Sequence, residues 1–202
     1  MRRSEFEVTD PEAIASVLSE SDHGVLSLIS GGRPYGVALN FVFVDGICYF
    51  HGAPQGRKAE AIGSGARASF LVVRPYAFIP SFFSDSRFAC PATQYFASVH
   101  MEGRVTPLEN PERKALALSA LMEKMQPEGG YEPIHVDNSL YSTILAKVGV
   151  FALTPETLTL KVKAGQNLSD EKKEALMEKL NRRGNDGDAE TASLVESFTR
   201  EP

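Results

Sequence analysis

The sequence predicts a mainly β (α+β) fold: an antiparallel β-barrel with peripheral helices. Three observations carry this. Short runs of alternating apolar and polar residues recur along the chain, with three or four helical patterns interspersed. Successive runs meet at tight turns, Ser30-Gly31-Gly32 and Asp45-Gly46, which favours antiparallel pairing. No G-x-G-x-x-G fingerprint is present, as a doubly wound dinucleotide-binding sheet would carry.

The elements follow in order. Thr9-Asp10-Pro11-Glu12 starts a helix, with Thr or Asp as cap and Pro in the first turn. Ile14, Val17 and Leu18 then share one helical face. Val25 to Ile29 reads as a strand. Tyr35 to Val44 reads as one strand with two unlike faces: Tyr35, Val37, Leu39, Phe41 and Phe43 on one, Gly36, Ala38, Asn40 and Val42 on the other. Ile47 to His51 returns as its hairpin partner. A helix is predicted from Gln55 to about Gly63, and a strand from Arg67 to Val73. Pro75 to Thr93 holds three prolines and many aromatics, which suits a loop packed over a partner or a ligand. Tyr95 to Thr106 is a strand. Asn110-Pro111-Glu112 caps a helix to about Leu121. Gln126 to Val136 is a loop, and Asn138 to Leu145 a short helix. Val148 to Leu153 and Leu158 to Lys163 read as two strands paired across Thr154-Pro155-Glu156. Ser169-Asp170-Glu171 opens a last amphipathic helix, broken at Asn185-Asp186-Gly187-Asp188. A polar tail or fraying helix is expected from there to Pro202.

Composition narrows the function classes. The 202 residues are 43% hydrophobic and 23% charged, ordinary for a folded domain with appendages. The predicted division is a domain over 1–165 and a helical extension over 166–202. A formal charge of -5 argues against a nucleic-acid partner. Cys48 and Cys90 form no metal pattern and read as free thiols in a reducing cytoplasm. No apolar run follows Met1-Arg2-Arg3, and no stretch of about 20 apolar residues occurs, so neither a leader nor a membrane span is expected.

Four places suit chemistry. In Tyr49 to Lys58 a strand end enters a glycine-flanked loop and then a helix start with Arg57 and Lys58. This suits a phosphate monoester, since helix amides and an Arg fork both favour anions. The same pair also fits a solvated surface helix. The small face of Gly36, Ala38 and Asn40 suits a planar ring, with Asn40 reading its edge, and equally suits packing under a helix. His23, His51, His100 and His135 show no zinc spacing. His23 and His135 read as structural or surface residues, whereas His51 falls inside the phosphate and ring region. Finally, Lys161 and Lys163 alternate before Gly165-Gln166-Asn167. They fit closure over an anionic ligand or a lysine-protected edge strand.

Arg33-Pro34-Tyr35-Gly36-Val37-Ala38-Leu39-Asn40, then Tyr49-Phe50-His51-Gly52-Ala53 and Gly56-Arg57-Lys58, resemble the flavin-binding split-barrel proteins. The nearest look is to the nitroimidazole-resistance (Nim-type) branch of the pyridoxamine 5′-phosphate oxidase-like superfamily. Cys90, Tyr95, Ser98-Val99 and Gly103 resemble its following stretch. The resemblance runs from about Arg2 to Leu160. It implies a six-stranded split barrel, paired as a homodimer with FMN between subunits. Ala38, Leu39 and Asn40 would then line the flavin ring, with His51, Gly52 and Ala53 along it. Arg57 and Lys58 would hold the phosphate, and Ser98 would come from the central strand. His51 matches the motif histidine and is the candidate catalytic residue. Ala38 departs from the family's second proline, and the aromatic stretch Tyr76 to Phe88 is longer than its pattern.

The expected function is therefore an FMN-dependent oxidoreductase of the flavin reductase or nitroreductase kind, acting on a small molecule, with NAD(P)H as a possible donor. FAD and deazaflavin are the less favoured cofactors. The alternatives are a non-catalytic flavin- or haem-binding protein, with His51 or His100 on the iron, and a regulatory dimer with an empty pocket.

Overall fold

The computed structural model describes residues 3–85 and 87–199. Arg2, where the resemblance begins, and Pro202, the end of the tail, lie outside them. Among the described residues there are eight strands and six helices. In chain order they are β1 (Glu7–Val8), α1 (Pro11–Glu20), β2 (His23–Ser30), β3 (Arg33–Asn40), β4 (Val42–Val44), β5 (Ile47–Gly52), α2 (Arg57–Ile62), β6 (Ala66–Ile79), β7 (Thr93–Pro107), α3 (Pro111–Met125), α4 (Ser139–Lys147), β8 (Gly149–Lys163), α5 (Asp170–Arg183) and α6 (Asp188–Ser197). The sheet order is β3-β2-β6-β7-β8-β5-β4, with β1 added on β8. This is the mainly β, antiparallel split-barrel class, with eight strands where six were expected and a ladder that does not close.

The chain divides into two compact units. One comprises Ala15–Val72 and Val99–Thr159, the other Met1–Ile14, Val73–Ser98 and Leu160–Pro202.

The first unit turns on Phe41. β3 and β4 stand at opposite ends of the sheet order, yet a single residue joins them. Two peptide units span at most about 7 Å, so the two edges of the ladder must meet at this corner. The predicted single strand Tyr35 to Val44 is thus two strands. Phe41 is fully buried, 5.2 Å from Phe70 between ring centroids, and Phe50 links Phe70 to Phe151 at 6.0 and 5.7 Å. A corner residue has no ladder partner for its carbonyl, and a buried carbonyl needs one. Lys124 on α3 supplies it. Its Nζ donates to Phe41 O at 3.1 Å, Leu18 O at 2.8 Å and Ser21 O at 2.7 Å. Three donors meet three acceptors. Burial lowers the pKa of this lysine to about 8, which leaves it charged at neutral pH.

The caps behave as read. Asp10, not Thr9, is the side chain that bonds the first turn of α1, accepting from Glu12 N at 3.1 Å. Asn110 and Asn138 accept from Arg113 N and Leu140 N, at 2.8 and 3.0 Å. α3 runs on to Met125, and α2 begins only at Arg57.

Proline misled two readings. β6 continues through Pro75 to Ile79, so Tyr76 and Phe78 lie on a strand and not in a loop. β2 pairs with β6 only up to Val72, so the missing N–H of Pro75 breaks no bond on that side. Likewise β8 is one strand through Pro155, not a pair of strands. Its β5 partners end at Leu153 and its β1 partners begin at Leu160, which leaves Pro155 between ladders. Gly103 is needed there, because a Cβ would strike the Thr154 carbonyl.

In the second unit the segment expected as a polar tail or fraying helix holds the helix α6, with Thr191 and Val195 fully buried. Thr191 Oγ1 accepts from Ala77 N at 2.9 Å, so a helix residue takes the bond a neighbouring strand would make. Arg183 closes the α5–α6 turn through Asp188, with Nε to Oδ2 at 2.8 Å. Cys48 is buried and Cys90 exposed, both free. No described helix is long and apolar enough to cross a membrane.

The corner predicts an asymmetry between two neighbouring phenylalanines. Phe41→Ala should cost about 3–5 kcal/mol, as a fully buried aromatic does. Phe43→Ala, at a half-buried site, should cost less than half as much in urea unfolding.

Candidate functional site

β2 and β3 form a regular antiparallel pair that sets the site. Its register places His23 opposite Asn40, Val25 opposite Ala38 and Ser27 opposite Gly36. All six of these except Gly36's missing side chain point to the face that the chain leaves open, and Gly36, Ala38 and Asn40 are exposed. The small face of β3 therefore does not pack under a helix.

Around its end lies an open pocket of about 500 Å³, lined by His23, Ala38, Leu39, Asn40 and His51. Four of these five were predicted from sequence. His23, which from sequence reads as a structural or surface residue, lines the pocket because β2 begins two residues before the predicted Val25. Extending the period-two pattern back by two residues would have found it. A second shallow groove of about 480 Å³ includes Tyr35, Gly36 and Ser27, so the small face is open along its length.

Asn40 is held in place. Its Nδ2 donates to the Asp22 carbonyl at 3.0 Å, and its Oδ1 has no partner among the described residues, which leaves an acceptor for a ring N–H. His51 ends the buried–exposed alternation of β5 on the exposed side. Its pKa is lowered first by desolvation and then by the charge of Lys58, so the imidazole is neutral at pH 7.

The cation pair splits its work. Lys58 folds back under the strand end, its Nζ donating to His51 O at 3.3 Å and lying 4.7 Å from the Phe151 ring centroid. Burial lowers its pKa. Gly52 is what lets it through, since a Cβ there would collide with Lys58 Nζ. Arg57 remains exposed. Its Nε donates to Ser30 Oγ at 3.1 Å and its guanidinium lies 4.2 Å from the Tyr35 ring centroid. Ser30 and Tyr35 thus join the predicted anion locus, although the sequence offered Ser30 only as part of a turn. α2 has six residues, so its dipole adds little, and the Arg fork carries the anion attraction.

From Ala38 to Tyr35 is roughly 10 Å along the strand, at about 3.3 Å per residue. An open small face with an amide acceptor at one end suits a flat ring, and the Arg57 guanidinium, held by Ser30 and Tyr35 at the turn end of the β2–β3 pair, is the nearby cation suited to a phosphate. Gly52 and Ala53 continue from His51 into the loop. Ser98 stands half-buried on β7 and His100 lies 3.9 Å from Glu102, and neither lines the pocket. Another cavity, of about 610 Å³, belongs to the other unit; it holds none of the predicted flavin-site residues but includes Lys163, Gly165 and Asn167 of the predicted lysine segment.

The model of the pyridoxamine 5′-phosphate oxidase family matches residues 10–162. No curated protein matches the sequence. Among solved structures, the chain is similar to a proposed 5-nitroimidazole antibiotic resistance protein from Bacteroides thetaiotaomicron, at 20% identity and TM-score 0.62, covering 77% of this chain and 86% of that one. It is also similar to a flavocytochrome from Azotobacter vinelandii, at 18% and 0.65, covering 79% and 70%. A third is an FAD and heme binding protein from Mycobacterium smegmatis, at 18% and 0.66, covering 84% and 79%. At these identities the likeness shows the fold.

The site predicts a titration. By NMR, His51 should titrate below the usual value of about 6.5, and Lys58→Met should raise its midpoint without restoring it fully, because desolvation remains. Its folded pKa lies below its unfolded one, so this group's contribution to stability is lost as pH falls through about 6.5.

Proposed function

This chain belongs to the pyridoxamine 5′-phosphate oxidase family, and we propose that it is an FMN-dependent oxidoreductase acting on a small molecule. The observation that carries this is the exposed small face of β3, with His51 and Asn40 lining the pocket at its end; Arg57, beside Ser30 and Tyr35 at the turn end of the pair, adds the cation. In this reading residues 1–165 carry the flavin and residues 166–202 form a helical extension.

Ala38 and Leu39 support the ring, Asn40 accepts from its edge, and His51, Gly52 and Ala53 flank it. Arg57 holds the phosphate with Ser30 Oγ beside it, while Lys58 adds positive charge from beneath. Bound flavin supplies the electron transfer. The neutral imidazole of His51 offers a nitrogen that can hold or accept a proton beside the substrate.

We also propose that a second copy of the chain completes the site, and that Ser98 reaches it from there. Val25, Ile29 and Leu71 are 38%, 63% and 38% exposed, and Val25 sits beside Ala38 and Leu71 in the sheet register. An apolar face of this kind, continuous with the ring site, favours a covering partner over water. Substrate nitroreduction and electrons from NAD(P)H belong to the same proposal, as does a cytoplasmic setting.

A second reading is non-catalytic flavin or haem binding. His23 and His51 lining one pocket favours it, since each offers an axial nitrogen. Fold neighbours whose names include flavin and haem lend it support. A Soret band on haem titration, lost in His51→Ala or His23→Ala, would select this reading.

The deciding experiment is an absorption spectrum of the purified protein, followed by chromatography of any ligand released on denaturation. Released FMN that NADPH or dithionite reduces supports the proposal. A protein that carries no flavin and takes up none when FMN is added overturns it. Arg57→Ala should weaken FMN binding by about 1.5–3 kcal/mol, roughly ten- to a hundredfold. FMN at a hundredfold excess over Kd should stabilise the fold by about 2.7 kcal/mol.

A further inference from the structure

The largest cavity, about 610 Å³, lies wholly within the unit built from Met1–Ile14, Val73–Ser98 and Leu160–Pro202. Arg3, Lys163, Lys172 and Lys179 line it, and no aspartate or glutamate stands among its lining residues. In a chain of net charge -5 this is a local excess of positive charge. The hydrogen-bond partners of Lys163 and Lys179 are neutral, and Lys172 feels the charge of its chain neighbour Glu171, which does not line the cavity. Lys163 Nζ donates to Thr93 Oγ1, and Lys179 Nζ to the Phe83 carbonyl. The Arg3 guanidinium lies 5.7 Å from the Phe6 ring centroid. Burial, then Lys161 and Arg3, lowers the pKa of Lys163, as like charges crowded without a counter-ion must.

A second observation is independent of charge. Tyr95 lines the same cavity and is only 4% exposed, yet its hydroxyl makes no hydrogen bond with any described residue. The ring is buried while the hydroxyl oxygen opens into the cavity, where a ligand can reach it. Gly165, at φ 80°, keeps the space before it open, because a Cβ there would lie 2.6 Å from Tyr95 Oη. Burial pushes the phenol up to about 12, so at neutral pH it is a donor. A phenol donor opening into the cavity, beside four cations with no carboxylate in the lining, on a wall that also holds Phe6 and Phe83, suits one kind of ligand.

We propose that this cavity binds a small aromatic anion, its carboxylate or phosphate head held by Lys163, Lys172 and the Tyr95 hydroxyl, its ring against Phe6 and Phe83. The site is separate from the flavin locus and does not rest on it. It gives a use to Lys163 before Gly165, which the proposed flavin chemistry leaves idle.

The test is calorimetric titration of the full chain with phenyl phosphate and benzoate, with benzyl alcohol as the uncharged control and any flavin left in place. Tyrosine fluorescence gives a second readout, since the chain has no tryptophan. The anions should bind and the alcohol should not. Lys172→Gln should weaken binding about tenfold or more, the scale of a lost charge-assisted hydrogen bond, and Tyr95→Phe severalfold. Lys172 is exposed on α5, so its replacement leaves the fold intact. Failure of both anions to bind, equal binding of benzyl alcohol, or unchanged affinity in Lys172→Gln would each overturn the proposal. Flavin content, read separately by absorbance, is not expected to change in either variant.

Discussion

The barrel unit depends on one corner. β3 and β4 are the two ends of the strand order, and only Phe41 lies between them. The backbone cannot stretch, so the sheet must curl until its edges meet. What the curl encloses is the aromatic chain Phe41, Phe70, Phe50 and Phe151. What it leaves over is a carbonyl with no strand partner, and Lys124 takes it together with those of Leu18 and Ser21. One ammonium thereby ties α3, the end of α1 and the corner together. Neutral side chains of similar length would fill the space but could not satisfy three acceptors.

The candidate site follows from the same curl. Phe41 turns inward, so Asn40, one residue earlier, faces outward at the mouth of the pocket. β5 leaves the corner hairpin and delivers His51 to that mouth from the opposite edge of the ladder. Two residues far apart in the strand order become neighbours because the edges meet. Arg57 reaches the turn end of the β2–β3 pair, where Ser30 and Tyr35 hold it. Small residues on β3 matter here as space. Any large side chain at Gly36 or Ala38 would fill the open face.

Two proline-containing segments teach a general point about edges. Pro75 and Pro155 both lie inside long strands, and both sit where one side of the strand has no partner. A proline removes one donor on one side only. Whether that matters depends on which neighbour is present, and no local pattern carries that information. α6 is the converse case. Its sequence is polar enough to read as a tail, and it is ordered by Thr191 bonding the edge of β6 and by the Arg183–Asp188 pair.

The sequence by itself determined the local features: the strand periods, the Asp45-Gly46 turn, the Asn110 and Asn138 caps, and the small face of Gly36, Ala38 and Asn40. These depend on residues within a few positions of one another, where sterics and capping bonds act alone. The resemblance carried by the two motifs added the family, and with it the grouping of Ala38, Leu39, Asn40 and His51. Only the tertiary structure decided what depends on distant partners. It decided that Phe41 breaks the strand, that two prolines do not, that His23 joins the pocket, and that Lys58 is spent on its own strand end while Arg57 is held exposed by Ser30 and Tyr35. It also decided that a second cavity gathers Arg3, Tyr95, Lys163 and Lys172 from three separate stretches of chain. Each of these is a pairing across the fold, and a linear pattern holds no record of which segments will meet.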